Sequence, residues 1–538
     1  MRQGFGLCVL AAGLATVVGG SATAAGKAGD PRNGGTFRVG LCSGCFDSID
    51  PALSFGPGGI AVQQATCASL VRLPDKPPPA GYRLVPELAV NLPRISGRNR
   101  VYTFRIKRGV RYSTGAPVVG RDLAHALSRI LDPIVKSPLA PSFKDIVGAA
   151  DVLAGKAKTA AGMSATRTTV TFRLTHADGG FLLSLTTLCA VPSDLPADPE
   201  GAHAPLPSAG PYYVSQYAPG KSVVLERNRY YRGSRPHHVS RFEFAIGGNL
   251  DTILEQVRAG RVDWGPFPTG ILGRVAGDLA RSYGVNKSRF FVRRGLFLRI
   301  FVLNTSRPLF RNNAPLRRAV NFAVERAALN AERGPYTGTP IDHYLSPDYP
   351  GYRPVRIYPL VHPNLARARA LARGHTRNGK VAIYVPDSPA TAAQAQILQR
   401  DLKRIGLEAT IDQFPASILF QKYGVPGEPF DIGWIGWIGN PDPGLLDCLF
   451  NGKWIGKEGG CNYSYFNSPR YNRLLSTASR LSGSARTRAF GRLDVELARD
   501  AAPAIAYAYD NALTLVSGRT GCVVLNPSLD LAAVCLKS

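Results

Sequence analysis

The sequence lacks a second long apolar run. Its 538 residues hold one apolar stretch, from about Phe5 to Val18, and no later segment approaches the roughly 20 apolar residues of a bilayer-spanning helix. This excludes a membrane transporter. The chain is 45% hydrophobic and 19% charged, which excludes a disordered chain. Its length predicts two or three domains.

Catalytic and cofactor motifs are also lacking. The chain has no GxxxxGKS/T, HExxH, GxSxG or helix-opening GxGxxG segment. Its eight histidines are scattered, and the adjacent His237 and His238 cannot share one helical face. We therefore predict no catalytic residue, no metal, no cofactor and no enzyme. The alternative is an exported hydrolase with an unrecognised site.

Acidic residues are few: 37 stand against 65 Lys and Arg, for a formal charge of +28. Residues 291–380 carry 16 basic and four acidic residues. We interpret this excess as a solvated surface; the alternative is a face for anionic ligands or lipids, as in a cationic envelope-binding protein. Without a dense basic run or an aromatic RNA-binding signature, the sequence predicts no nucleic-acid partner.

The N-terminus is typical of a cleaved export signal. Arg2 precedes the apolar stretch, and small residues at Ala22 and Ala24 predict cleavage after Ala24. Cys8 lies inside the apolar stretch behind Leu7, so we do not expect a lipoprotein. A periplasmic location follows from this signal.

Export puts the remaining cysteines in an oxidising compartment, where an even number indicates disulfides. The spacing favours pairs of cysteines 13 residues apart, Cys448 with Cys461 and Cys522 with Cys535. Cys42 and Cys45 have CxxC spacing, but no second CxxC or nearby histidine supports zinc, so we predict a structural disulfide there. The other two candidates, left without an assigned pairing, are Cys67 and Cys189.

Strand and helix patterns alternate along the chain, which predicts an α/β fold. Apolar residues alternate along Val101–Lys107, as in a half-buried strand. Asp122–Leu131 has one apolar stripe at helical spacing, and Asn313 is a candidate N-cap for another helix. A strand, a helix and a second strand follow one another between residues 381 and 411, in βαβ order.

Several blocks, in order, resemble the family 5 extracellular solute-binding proteins, the oligopeptide, dipeptide and nickel class that feeds ABC importers. The most specific is Tyr102–Val110 with its continuation to Asp122. The other blocks are Gly34–Gly40, Asp47–Pro51, Gly210–Tyr212, Leu225–Tyr231, Asn304–Phe310, Leu316–Ala319, and Trp437 with Pro441–Pro443.

The resemblance implies a two-lobed periplasmic-binding-protein fold with a hinge between lobes and an extra domain inserted in lobe one. Lobe one is then expected to be discontinuous. The expected ranges are 1–24 for the signal peptide; 25–60, 185–285 and 505–538 for lobe one; 61–184 for the extra domain; and 286–504 for lobe two.

The resemblance also implies where a ligand would bind. Trp437 matches a tryptophan that lines the cleft of peptide-binding relatives, and Asn440 stands where their aspartate takes the ligand's α-ammonium. Either Asp442 replaces that acid, or the ligand has no free α-amino group, because a buried ammonium needs a carboxylate partner. Asn304 and Thr305 are further candidates, beside the interlobe crossing. Because strand side chains alternate, Trp434 and Trp437 are expected on opposite faces.

These observations predict an exported binding protein that captures an oligopeptide or modified peptide and delivers it to an ABC permease in the inner membrane. The alternative ligands are an opine-like conjugate or a glycan. We expect a monomer.

Overall fold

The computed structural model describes residues 31–267, 269–456, 460–526 and 528–537. The predicted signal segment and Cys8 lie outside these residues. No helix in the described part of the chain is both long and apolar enough to cross a membrane. The α/β class predicted from the sequence is confirmed, because helices and sheets alternate throughout.

We use the name lobe one for the part of the chain built on a four-stranded sheet. In this sheet Thr36–Cys42 pairs parallel with Arg241–Gly248, and the other neighbouring strands are antiparallel. Alternate side chains such as Phe37, Val39 and Leu41 are fully buried, as the period of a strand requires. The strands in spatial order are Thr36–Cys42, Arg241–Gly248, Ser222–Arg227 and Tyr212–Ala218, and the helices are Pro57–Thr66, Leu250–Arg258 and Thr269–Tyr283. A small sheet nearby contains Pro31–Arg32, Cys535–Lys537 and Thr520–Gly521.

A second four-stranded sheet lies within residues 94–173. Its strands are Arg94–Ser96, Val101–Arg105, Thr169–Arg173 and Met163–Ala165. The predicted amphipathic helix is present as Gly120–Leu131 and packs on this sheet. The other local elements are the strands Val71–Arg72 and Val85–Pro86, the helices Ala149–Leu153 and Phe181–Ser184, and the 3-10 turns Ala80–Tyr82, Ala140–Phe143 and Leu185–Thr187.

Lobe two is built on a six-stranded mixed sheet. Its strands in spatial order are Gly338–Pro340, Ala504–Leu515, Phe290–Leu303, Ile432–Ile438, Lys380–Pro386 and Glu408–Phe414. The predicted βαβ order is confirmed, since the last two strands are parallel and the helix between them packs on both. The helices are Ala314–Ala323, Arg326–Ala331, Leu365–Ala372, Pro389–Lys403, Ala416–Gly424, Leu445–Phe450, Pro469–Arg480 and Gly483–Glu496, with a 3-10 turn at Gly452–Trp454 and a π-helical turn at Leu497–Ala501. The Asn313 side chain caps the first of these helices by accepting from the Leu316 N–H.

Two long antiparallel strands, Phe290–Leu303 and Ala504–Leu515, run from one lobe into the other. At one end Phe290 pairs with Leu515, and both pack against helices of lobe one. At the other end Val302 pairs with Ala504 inside the core of lobe two. The expected boundary at residue 505 falls at the beginning of the second strand, and the domain ranges stay a prediction.

The eight described cysteines form four pairs. Cys42 pairs with Cys45, Cys448 with Cys461 and Cys522 with Cys535, the three pairings named from the sequence. The fourth joins Cys67 to Cys189 across 122 residues, with the Cα atoms 5.3 Å apart. That distance is within the range of ordinary disulfides.

Candidate ligand-binding cleft

The strand Ile432–Ile438 directs its two tryptophans to opposite sides of the lobe-two sheet, which confirms the prediction from strand alternation. Trp434 is buried in the core on one side, and its Nε1–H donates to the Tyr507 hydroxyl over 3.0 Å. Trp437 is half-buried and packs against the core on the other side. Only one indole of the pair can therefore face a ligand from this strand.

The loop after this strand exposes Asn440 and holds Asp442 in an ion pair. One Arg486 nitrogen lies 2.9 and 2.8 Å from the two Asp442 oxygens, and the Gly444 N–H donates to Oδ1 over 2.8 Å. Arg486 also donates to the Ser479 carbonyl over 2.9 Å. Asp442 thus serves as the counter-ion of an arginine of its own lobe.

A segment near the lobe-one side approaches this loop closely. The Gly179 N–H donates to the Ser479 carbonyl over 2.9 Å, which links the two sides directly. A Cβ on Gly180 would lie 2.6 Å from Asp442 Oδ2, so a larger residue would displace this carboxylate. A Cβ on Gly179 would lie 1.9 Å from the Leu481 carbonyl oxygen, so this close backbone approach requires glycine at position 179.

A cavity of about 700 Å³ lies between the two walls, within the range of ligand sites. Asn440, Pro441, Asp442 and Arg486 line one wall and Asp178, Gly180 and Thr187 the other. Four carboxylates and four Lys or Arg side chains contribute, so the lining is nearly balanced in charge. No residue of the basic segment 291–380 is part of the lining.

Asp178 differs from the other three carboxylates of the cavity. Asp145, Asp442 and Asp447 each lie within 4 Å of a basic side chain, whereas no such partner lies near Asp178 in the described ranges. Its Oδ1 accepts from the Gly180 N–H over 2.8 Å. Burial raises the pKa of Asp178, and the nearby Asp442 adds to this effect while Arg486 opposes it. Asp178 is thus the least compensated acid in the cleft.

The structure brings only some of the predicted site residues together. Asn440 and Asp442 line the cavity, whereas Trp437 lies on the strand leading to it and is not part of the lining. Asn304 is buried, donates to the Phe430 carbonyl over 3.0 Å and accepts from Ser306. Thr305 donates to the Ser464 carbonyl and borders a separate surface depression. The ligand roles of all five residues stay predictions.

Asp178 and Arg486 were missed by reasoning from the sequence. Both lie far along the chain from the Asn440 loop, and neither belongs to a block that resembles the family. The Gly179–Gly180 pair after Asp178 was a weak signal of a close backbone approach. In the part of the chain that the structure describes, no group of three His, Cys, Asp or Glu is arranged to hold a metal ion.

The sequence of this chain matches a known protein family. The model of bacterial extracellular solute-binding proteins, family 5 Middle, matches residues 83–454, which is more than half of the chain. The chain belongs to this family. The resemblance found in the sequence is thereby confirmed, and family 5 consists of solute-binding proteins.

The family 5 relatives include the oligopeptide-binding protein OppA of Bacillus subtilis strain 168. It is 23% identical over 404 residues, which cover 70% of this chain and 71% of OppA. A solved structure of clavulanic acid biosynthesis oligopeptide binding protein 2 superimposes with a TM-score of 0.80, 23% identity and coverage of 94% and 96% of the two chains. The unliganded open form of the murein tripeptide binding protein MppA gives a TM-score of 0.79 at 17% identity, covering 94% and 99%. These likenesses confirm the two-lobed family 5 fold.

Proposed function

We propose that this chain is the exported substrate-binding component of an ABC importer, which captures a peptide-sized solute between its lobes and passes it to a permease of the inner membrane. The observation that carries this proposal is the 700 Å³ cavity between the Asn440 loop and the segment around Asp178. The names of the relatives, which refer to oligopeptides and a murein tripeptide, support a peptide-like solute. A periplasmic monomer fits this role.

We assign the two walls of the cleft to the domains expected from the sequence. Lobe one, with its inserted domain, supplies one wall of the cleft and lobe two the other, and the strands Phe290–Leu303 and Ala504–Leu515 connect them. Rotation about these strands would open and close the cleft, as in hinge-type binding proteins. Ligand then stabilises the closed state by contacting both walls at once.

We propose further that the solute has no free α-ammonium at the Asn440 position. Asn440 is neutral, and Asp442 is already neutralised by Arg486, so neither can stabilise a desolvated ammonium well. A modified peptide satisfies this requirement, as would an opine-like conjugate or a glycan. A second candidate, an ordinary peptide with a free N-terminus, is favoured by Asp178, the least compensated acid of the cavity, on the facing wall.

Calorimetric titration with trialanine and N-acetyl-trialanine separates the two candidates. We expect the wild-type protein to bind the acetylated peptide at least as tightly as the free one. Asn440→Asp should improve affinity for free trialanine by about tenfold or more, because it adds a carboxylate to the cleft. Asn378→Asp, which adds the same charge on an exposed loop, is the matched control.

Asp178→Asn tests the second candidate with the same two peptides. If the wild type prefers free trialanine and Asp178→Asn abolishes that preference, the solute is an ordinary peptide whose ammonium contacts Asp178. Native mass spectrometry of gently purified protein would identify a co-purified solute directly. A solute-free mass combined with no binding of either peptide would overturn the proposed function itself.

A further inference from the structure

A second cavity of about 330 Å³ lies in lobe one beside the cleft; we name it the lobe-one pocket. Leu73, Thr186 and Thr187 line both cavities, so the pocket adjoins the space between the lobes. Phe55 and Ile60 border it and are 64% and 44% exposed, which gives it an apolar, accessible rim. The disulfide between Cys67 and Cys189 forms part of its wall.

Charged side chains lie at the inner end of the lobe-one pocket. Three carboxylates, Asp75, Glu87 and Asp530, face two guanidinium groups, Arg72 and Arg235. Arg72 lies 2.8 Å and Arg235 3.2 Å from Asp75, so both arginines are directed at the same acid. With all five groups ionised the cluster carries one net negative charge, which a single cation would neutralise.

One oxygen of Glu87 is left without a hydrogen bond. Its side chain is 10% exposed, and its Oε2 accepts from the Ser69 N–H over 2.9 Å. Its other oxygen, Oε1, accepts no hydrogen bond, and the nearest arginine nitrogens are 3.7 and 3.9 Å away. Burial raises the pKa of Glu87, since Arg235 and Arg72 offset the lost hydration only in part.

Two more buried oxygens along the pocket accept no hydrogen bond: Asn526 Oδ1 and Gln64 Oε1. The orientation of the Asn526 amide is set, because its Nδ2 donates to the Pro74 and Gly81 carbonyls over 3.1 and 3.0 Å. The unpartnered Asn526 atom is therefore fixed as an acceptor, as is Glu87 Oε1 in the carboxylate form. A buried acceptor without a donor is unfavourable, so the site is complementary to a group that only donates.

We propose that the lobe-one pocket binds the basic side chain of the captured solute, an ammonium or guanidinium group on an aliphatic stem. The apolar rim contacts the stem, and Glu87 Oε1 with Asn526 Oδ1 accepts from the charged end. The inference rests on the proposed function, because the solute reaches the pocket from the cleft. It places the solute's positive charge in lobe one instead of at the Asn440 loop.

The test compares two N-acetylated tripeptides with and without the charge, acetyl-alanyl-lysyl-alanine and acetyl-alanyl-norleucyl-alanine, by calorimetric titration of the mature protein. We expect the lysine peptide to bind at least about tenfold more tightly, the gain typical of a charge-assisted hydrogen bond. n-Pentylamine and n-pentanol probe the pocket alone in ligand-observed NMR. Only the amine should bind.

Three variants test whether the preference for the lysine peptide arises in the lobe-one pocket. Glu87→Gln should reduce the preference for lysine over norleucine to less than about twofold, because the neutral amide cannot form the charged contact. Glu200→Gln, a change at an exposed acid, should leave the preference intact. Ile60→Trp narrows the rim from an exposed helix position without touching the buried charges, and it should weaken binding of the lysine peptide and of n-pentylamine.

Each outcome separates this inference from the proposed function. Equal affinity for the two tripeptides would overturn the lobe-one pocket as a cation site and leave peptide capture standing. Glu87-dependent binding of n-pentylamine without binding of any peptide would support the pocket and overturn the proposed function. A response to CaCl₂ that exceeds the response to the amine would also overturn it, in favour of a metal ion.

Discussion

Two groups of buried charges in this molecule have their hydrogen bonds satisfied to different degrees. Asp50 and Arg129 form a pair at most 2% exposed, in which both carboxylate oxygens contact the guanidinium. The Ala52 N–H also donates to Asp50, and Arg129 Nε donates to the Pro196 carbonyl. The cluster of Asp75, Glu87 and Asp530 with two arginines leaves one oxygen of Glu87 without a donor.

The difference separates a structural charge pair from a site with spare binding capacity. The Asp50 pair ties the turn at Asp47–Pro51 to the helix Gly120–Leu131, and neither member of the pair has an unpartnered polar atom. The cluster in the lobe-one pocket is adjacent to a cavity and has three carboxyl groups for two guanidinium groups. Burial alone therefore does not identify a functional charge; the unsatisfied atom does.

The largest expected effect comes from breaking the satisfied pair. Arg129→Met should lower the free energy of unfolding by about 3–5 kcal/mol, because Asp50 would keep its burial without its partner. Urea denaturation measures this change. Arg108→Met, at an exposed arginine, is the matched control and should stay within about 0.5 kcal/mol of wild type. A loss at Arg129 no larger than the control's would contradict the structural role of the pair.

An intermediate effect is expected from the pH dependence of Asp530. Burial, with repulsion from Asp75, raises its pKa from 3.8 to about 6 in the folded protein. Protonated Asp530 therefore contributes its full stabilisation of the folded protein below about pH 4, and this contribution is lost as the pH rises through 6. Relative to Asp530→Asn, the unfolding free energy of the wild type should fall by roughly 1–3 kcal/mol between pH 4 and 6.5.

Urea denaturation of both proteins at several pH values checks this slope. Asp194→Asn removes an exposed acid and should retain the wild-type slope. A constant difference between wild type and Asp530→Asn across this pH range would show that Asp530 has an ordinary pKa, and the contrast between the two charge groups would weaken.

The smallest change in the free energy of unfolding is expected for Glu87→Gln, and the matching change at Asp50 gives a direct contrast. Glu87→Gln should change the free energy of unfolding by less than about 1 kcal/mol, because the amide oxygen can still accept from the Ser69 N–H and a poorly compensated charge is removed. The like-for-like change Asp50→Asn should cost at least about 2 kcal/mol, since it breaks a bidentate ion pair. Equal losses in the two variants, measured by urea denaturation, would contradict the distinction between them.

The sequence by itself determined the class of fold and the family, because both are recorded in local patterns. Alternation marked the strand at Val101–Arg105 and helical spacing marked Gly120–Leu131, whose ends the structure moves by only a few residues. The same alternation assigned Trp434 and Trp437 to opposite faces. The spacing of the cysteines alone predicted three disulfides: two between cysteines 13 residues apart and one within the CxxC turn.

Only the tertiary structure decided which distant groups meet. The Cys67–Cys189 disulfide spans 122 residues, and Arg486 lies 44 residues from Asp442. Arg235 reaches Asp75 across 160 residues. Such partners depend on how strands and connections are arranged in space, and a single charged residue has no local signature of its eventual partner. The sequence therefore located the Asn440 loop, but the facing wall, with Asp178, and the lobe-one pocket emerged only once folding had brought separate segments together and removed water from their polar groups.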